Sequence, residues 1–289
     1  MKKFLLSMAI IAITVSASIA QSRSKTYNFG NITGVDASYA YSVNVTKGNS
    51  DKIEVICPDY MKEYMDIHSQ GGILYLKMNF PRNFRHPRNS DQEIIVNMQM
   101  RTITYIDLSG ASSFSATGEF TTENLSYDLS GASRIRQLNI SGKSVKMDCS
   151  GASNIIQNGN FNYLELDCSG ASRMDLSGDI SNIHGEISGA TNFSYSGNSF
   201  QIDMGLSGAS KAGFRGKTNS FTVGCSGASY VNARDMIATD ASVQASGASK
   251  INVYVTNTLK TDASSGSLIN YYGNPKQVLS KPNNVRKAD

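Results

Sequence analysis

Apolar and polar residues alternate through most of this chain. Tyr163-Leu164-Glu165-Leu166-Asp167-Cys168 and Ser144-Val145-Lys146-Met147-Asp148-Cys149 are two such runs. A period of two sends successive side chains to opposite faces, and it predicts strands. The runs are short and are punctuated by one tetrapeptide, S-G-A-S, written once as S-G-A-T. Its opening serines are Ser109, Ser130, Ser150, Ser169, Ser188, Ser207, Ser226 and Ser246, separated by 21, 20, 19, 19, 19, 19 and 20 residues. A degenerate ninth copy, D-A-S-S-G-S-L-I, runs from Asp262 to Ile269.

A fixed period of about 20 residues is the signature of a solenoid. The dense leucine frame of a leucine-rich repeat is absent, and helical repeats need longer units. Short alternating strands at fixed spacing predict an all-β parallel β-helix, each coil lying roughly 4.8 Å from the one before. Three inward stacks follow. Leu108, Leu129, Cys149, Cys168, Ile187, Leu206, Cys225 and Ala245 precede the motif. Phe114, Ile135, Ile155, Met174, Phe193, Ala212, Val231 and Ile251 come five places after its first serine. The motif alanines, from Ala111 to Ala248, are expected to point inward at a narrow corner. The corner glycines are Gly110, Gly131, Gly151, Gly170, Gly189, Gly208, Gly227 and Gly247, where a positive φ costs little. A second corner is expected at Gly118, Gly142, Gly159, Gly178, Gly197 and Gly216. The motif serines read as turn residues that bond backbone groups, in preference to nucleophiles.

Residues 24–101 also alternate, with a turn at Gly71-Gly72, and read as an N-terminal cap with irregular coils. Regular coils follow over 102–272, within one domain spanning 21–275, and 276–289 reads as a tail. Residues 1–20 carry Lys2 and Lys3, an apolar stretch from Phe4 to Val15 and Ser18-Ile19-Ala20. This is the pattern of a cleaved export leader, too short in its apolar part for a spanning helix. Cleavage lowers the formal charge from +4 to +2. A nearly neutral chain gives no support for a nucleic-acid partner.

The repeated x-S-G-A-S-x-I, following a leader and an alternating segment such as N-I-T-G-V-D-A-S-Y-A-Y-S-V-N-V-T-K-G-N-S-D-K-I-E-V, resembles the auto-transporter adhesin head domain. This family is also called the head GIN domain and includes many exported Bacteroidetes proteins. The resemblance covers roughly Thr26 to Tyr272. It implies a right-handed parallel β-helix and an adhesion role, and it brings no catalytic residues. Periplasm, outer-membrane surface and secretion all stay open as destinations.

Two groups of residues are candidates for binding. Asp107, Asp128, Asp148, Asp167 and Glu186 stand two places before successive motifs. In stacked coils they form an outward row in which like charges repel. The row is a candidate calcium stripe, with Asp128, Asp148 and Asp167 as ligands, since calcium takes carboxylate oxygens. It reads in preference as a solvated row balanced by Arg134, Arg173 and Lys211, since no loop has the D-x-D-x-D-G frame of a dedicated calcium site. Gly205, Gly224 and Gln244 interrupt it before Asp262. The second group is the loop F-P-R-N-F-R-H-P-R-N-S, whose Arg82, Arg85 and Arg88 suit an acidic glycan or a phosphate. It also reads as a plain connector.

Surface tyrosines, including Tyr195, Tyr254, Tyr271 and Tyr272, suit contact with a carbohydrate or protein. Cys57, Cys149, Cys168 and Cys225 read as free thiols, three of them in an inward stack. His68, His86 and His184 are scattered, and no G-x-S-x-G elbow occurs. The row of carboxylates is uniform, unlike the differentiated pair of a glycosidase. The expectation is a non-enzymatic envelope or surface protein that binds a glycan or an envelope or host protein. A periplasmic assembly protein with weak self-association and a polysaccharide-active enzyme are the alternatives.

Overall fold

The computed structural model describes residues 24–88, 93–264, 266–280 and 284–288. The export leader read at 1–20 lies outside them. Among the described residues no helix is long and apolar enough to cross a membrane.

The chain winds into an all-β parallel solenoid of the right-handed β-helix type. Each regular coil has a run leaving the S-G-A-S corner and a run leading to the next. In one coil these are Arg173–Ser177 and Ile180–Ile187, and elsewhere they merge into one long strand such as Asn192–Leu206. Every coil pairs in parallel with its neighbours. Leu129, Cys149, Cys168, Ile187, Leu206, Cys225 and Ala245 therefore form one unbroken line. All of them are buried, as is the stack from Phe114 to Ile251. The core is thus a set of ladders running the length of the column.

The corner has the expected glycines and turn-bonding hydroxyls, but its alanines face the other way. All eight motif glycines have positive φ, from 68° to 81°. At Gly151 a Cβ would lie 2.4 Å from the carbonyl oxygen of Gly131, so consecutive corners are stacked too closely for any side chain. That carbonyl is occupied by the Ala152 N–H at 2.7 Å. The motif alanines, however, are exposed, and the residue after each points inward: Ser112, Ser133, Ser153, Ser172, Thr191, Ser210, Ser229 and Ser249 are buried. The left-handed glycine reverses the chain, which turns the alanine methyl to solvent and brings the next side chain over the core. A hydroxyl suits that place because it can satisfy the turn itself. Ser153 Oγ donates to the Ser150 carbonyl at 2.8 Å, Thr191 Oγ1 to Ser188 at 2.9 Å and Ser210 Oγ to Ser207 at 2.8 Å. This explains why the only variation in the last motif position is threonine. At the second corner Gly118, Gly159, Gly178 and Gly216 have positive φ, whereas Gly142 and Gly197 do not. At Gly197 the requirement is space, since a Cβ would sit 1.9 Å from the Gly178 carbonyl oxygen.

The N-terminal end is built out of sequence order. Gly34–Ala37 pairs in parallel with Tyr105–Leu108 on one side and with Ile73–Met78 on the other. Tyr41–Lys47 likewise lies between Ile94–Met100 and the long strand Ser113–Leu129. The coil containing residues 34–47 is therefore second from the end, and the later coil containing residues 73–100 is outermost. Antiparallel strands finish this end: Lys52–Ile56 on Ile94–Met100, Ser24–Asn28 on Lys52–Ile56, and Met65–Gln70 in a hairpin with Ile73–Met78 through Gly71-Gly72. Such pairing closes an edge that would otherwise recruit further strands.

At the other end, segment 276–289, read as a tail, adds two short parallel strands. Gln277–Ser280 pairs with Lys250–Ala263, and Val285–Lys287 pairs with Leu268–Tyr272.

Candidate functional site: rows of side chains along the column

The acidic row is real and longer than the sequence suggested. Asp107, Asp128, Asp148, Asp167 and Glu186 are in register in successive coils. Asp36 precedes them, in register with Asp107. Sequence reading missed Asp36 because its corner carries Tyr39 in place of the motif glycine. Tyr39 has φ +97°, a conformation uncommon for a bulky residue.

Charge in the row is relieved by lysines on its own face. Lys77 Nζ is 3.4 Å from Asp36, and Lys146 Nζ lies between Asp148 at 3.7 Å and Glu165 at 3.9 Å. Tyr105 donates to Asp107 Oδ2 at 3.0 Å. Burial nevertheless pushes the Asp107 carboxyl above its usual range, and the neighbouring charges of Asp36 and Asp128 push the same way. Arg134, Arg173 and Lys211 make no ion pair with the row among the described residues. They stand on the other side of the corner, alternating in register with Asn154 and Asn192, and Arg173 Nε pairs with Asp175 at 3.0 Å. Among the described residues no three His, Cys, Asp or Glu side chains gather as a metal site requires. Asp128, Asp148 and Asp167 stand in single file.

The interruption of the row forms a groove of about 510 Å³. Gly205 and Gly224 form part of its floor, Glu186 lies at one end, and Gln244 and Asp262 at the other. A Cβ on Gly224 would meet nothing within 4 Å, so neither space nor a positive φ accounts for glycine there.

The arginine loop is divided by side. Phe80, Phe84 and His86 pack into a cluster with Tyr39, Tyr60 and Tyr64. Phe80 and Phe84 stack at 4.3 Å, and Tyr39 and Phe80 meet edge-on at 5.3 Å. The Tyr39 hydroxyl hydrogen-bonds His86 Nε2 at 2.9 Å. Arg82, Arg85 and Arg88 are exposed. The aromatic cluster anchors the loop on the strained Tyr39 corner and presents three guanidinium groups, each suited to bidentate anion contacts.

Other candidates are placed as follows. Tyr195 is buried, a correction to its reading as a surface aromatic. Its hydroxyl accepts the Ile180 N–H at 3.2 Å and donates to the Asn198 carbonyl at 2.9 Å. Tyr254, Tyr271 and Tyr272 are partly exposed. All four cysteines are free and buried. Burial pushes the thiol of Cys57 up to about 11 and that of Cys225 up to about 12, so neither is a thiolate at neutral pH. His68 pairs with Asp66 at 3.0 Å and His184 with Asp203 at 3.5 Å, on separate parts of the surface.

Comparison with known proteins agrees with this architecture. The family model described as "Putative auto-transporter adhesin, head GIN domain" matches residues 31–183 and 165–275. These matches span most of the chain, and the chain belongs to this family. Among solved structures, a "putative adhesin" from Parabacteroides distasonis ATCC 8503 aligns with TM-score 0.53 and 14% identity, over 92% of this chain and 96% of that one. A "putative adhesin" from Parabacteroides merdae ATCC 43184 aligns with TM-score 0.50 and 13% identity, over 92% and 95%. At such identities the likeness concerns the fold. No curated protein matches the chain.

Proposed function

We propose that this member of the head GIN domain family is an exported, non-enzymatic binding protein of the cell envelope or cell surface. It would present one rigid face of its column to a glycan or to a protein. The observation that carries the reading is the register. Outward side chains of one chemical kind repeat from coil to coil, in positions fixed by backbone pairing. A polymer with its own repeat, such as a polysaccharide, meets several equivalent contacts at once, and such contacts add through effective concentration. The carboxylates form a uniform row in which each faces its like. That arrangement favours contact over the acid and base division of labour that glycoside cleavage needs. Removal of the leader at residues 1–20 and delivery to the periplasm or beyond belong to the same reading.

A glycan-array assay, with and without calcium, tests the reading, provided each bound glycan is then incubated with the protein and its products analysed. Retention of specific glycans without new reducing ends or unsaturated sugars is the expected result. Product release would make the protein an enzyme. Dependence on calcium would assign the ligand to the row from Asp107 to Glu186.

One feature supports a second reading, assembly through a sheet edge. The strand Gln277–Ser280 is exposed along its whole length, and Val278 and Leu279 are among the few large apolar residues that face solvent. An apolar edge strand is a template for pairing.

A further inference from the structure

Exposed cations stand in every second coil, across the corner from the acidic row. They are Arg134, Arg173, Lys211 and Lys250, each directly after the buried hydroxyl of its motif. Neutral hydrogen-bonding residues hold the same place in the coils between: Asn154, Asn192 and Tyr230. Backbone pairing sets them in one line, Arg134 on Asn154, Asn154 on Arg173, and so on to Tyr230 on Lys250. Strand alternation aims the line at solvent, since Ser172 and Met174, which flank Arg173, are buried, as are Ser210 and Ala212 beside Lys211.

The line is short of acids. Among the described residues Arg134, Lys211 and Lys250 make no ion pair, and Arg173 makes one, from Nε to Asp175 at 3.0 Å. A surface pair of this kind is weak, and the guanidinium keeps its other N–H donors for a second carboxylate. The fold does not impose the alternation. On the acidic row carboxylates follow one another in adjacent coils, so the column accepts like charges at one coil spacing. The cations are two coils apart, ~10 Å, and keep that step from Arg134 to Lys250, over about 30 Å. An extended polypeptide turns a side chain to one face every second residue, about 6.6–6.8 Å, and soon falls out of step with them. An extended chain of pyranoses offers equivalent groups along one edge every second ring, close to the length of two coils.

We propose that this line binds an acidic polysaccharide that carries a carboxylate on alternate sugars. Arg134 and Arg173 suit the carboxylates as bidentate partners and the lysines as point charges. Asn154 and Asn192 offer a donor and an acceptor to the neutral sugars between. The Tyr230 hydroxyl accepts from Asn252 Nδ2 at 2.9 Å, which leaves its own proton to donate. Contacts repeated along one chain add through effective concentration. The inference rests on the reading of the protein as a glycan binder and adds a sugar class and a face.

Titration calorimetry with a hyaluronan octasaccharide, in which a hexuronate alternates with a neutral N-acetylhexosamine, tests it. Chitohexaose is the neutral control, and poly-L-glutamate is a polyanion of different repeat. The protein should bind the octasaccharide at least tenfold more tightly than either. K211Q/K250Q should weaken that binding at least tenfold, whereas K217Q/K260Q, which removes two exposed lysines off the line, should change it less than twofold. N192K/K211N keeps the net charge but moves one cation by a coil, and it should also weaken binding at least tenfold. Undiminished affinity in K211Q/K250Q would overturn the site. Undiminished affinity in N192K/K211N, or equal affinity for poly-L-glutamate, would overturn the sugar class, because the spacing would not be read. No binding of the octasaccharide would overturn it as well, and self-association lost in K211Q/K250Q would then make the acidic row of a second copy the occupant. Neutral glycans retained on the array would in that case leave the broader binding role standing, whereas a blank array would remove it.

Discussion

Asp36 stands in register with Asp107, in directly adjacent coils, although the chain builds another complete coil between them. The acidic row therefore begins within the region that the sequence marks as a cap. The same interposition surrounds its first two members with groups from three coils: Lys77 beside Asp36, and Tyr105 and Asp128 beside Asp107.

Burial, with the neighbouring charges of Asp36 and Asp128, gives this place a pH dependence of definite sign. The Asp107 carboxyl titrates above its ordinary value, so the folded chain holds its proton more tightly than the unfolded chain. From about pH 4, the unfolded value, up to the raised folded value, the folded state binds more protons, and stability falls as pH rises. Asp107→Asn should remove that part of the fall and unfold at higher urea than the unmodified protein at pH 7. Identical midpoints at pH 7 would show that burying this charge costs nothing.

The two kinds of glycine should respond oppositely. Gly151→Ala forces a left-handed residue against the Gly131 carbonyl, at a cost of at least about 2 kcal/mol. Gly224 has no positive φ and open space beside it, so Gly224→Ala should leave stability unchanged or raise it by about 0.4–1 kcal/mol. Urea unfolding of both variants measures the contrast. A loss at Gly224 equal to that at Gly151 would mean the floor of the groove is structural.

The inward hydroxyl of the corner gives a second contrast. Thr191→Val leaves the Ser188 carbonyl without its donor and should cost about 1–3 kcal/mol, while Thr191→Ser should cost well under half of that. Ser229 Oγ is buried without a partner among the described residues, so Ser229→Ala should be neutral or stabilising. Thermal unfolding of the three variants tests the assignment.

The thiols should be silent in the folded protein. All four are buried, so a thiol-specific reagent should label none before unfolding and four after it. Rapid labelling of the native state would place a cysteine outside the core.

Val278 and Leu279 make the edge strand the place to look for association. If copies pair there, sedimentation should show concentration-dependent oligomers that V278K/L279K abolishes. Oligomers that survive this change would locate the contact elsewhere.

Much of this was legible because the chain repeats itself. A position seen eight times reveals its burial by composition, which is how the stacks through Leu129 and Ile135 could be read. The corner alanines misled because a small residue is equally suited to a tight interior and to an exposed turn. Only the glycine conformation decides between them, together with the carbonyl that the next hydroxyl serves. Tyr195 was misread because its polar end meets backbone groups inside the coil, which local polarity does not reveal. The order of the first coils had no local signal at all. Pairing of Gly34–Ala37 with Tyr105–Leu108 is a long-range choice, and Tyr39 hides the one corner that would have announced it.

The start of the acidic row depends on that coil order, and one cross-linking measurement tests it most directly. Asn44 lies between Asn97 and Ser115, in register with both. A short bifunctional thiol reagent can span one coil spacing, ~5 Å, but not two, ~10 Å. The interposed order predicts that N44C/S115C is joined and N97C/S115C is not, as read by mass spectrometry of the cross-linked peptides. Joining of N97C/S115C with none of N44C/S115C would put the coils in sequence order and take Asp36 out of the acidic row.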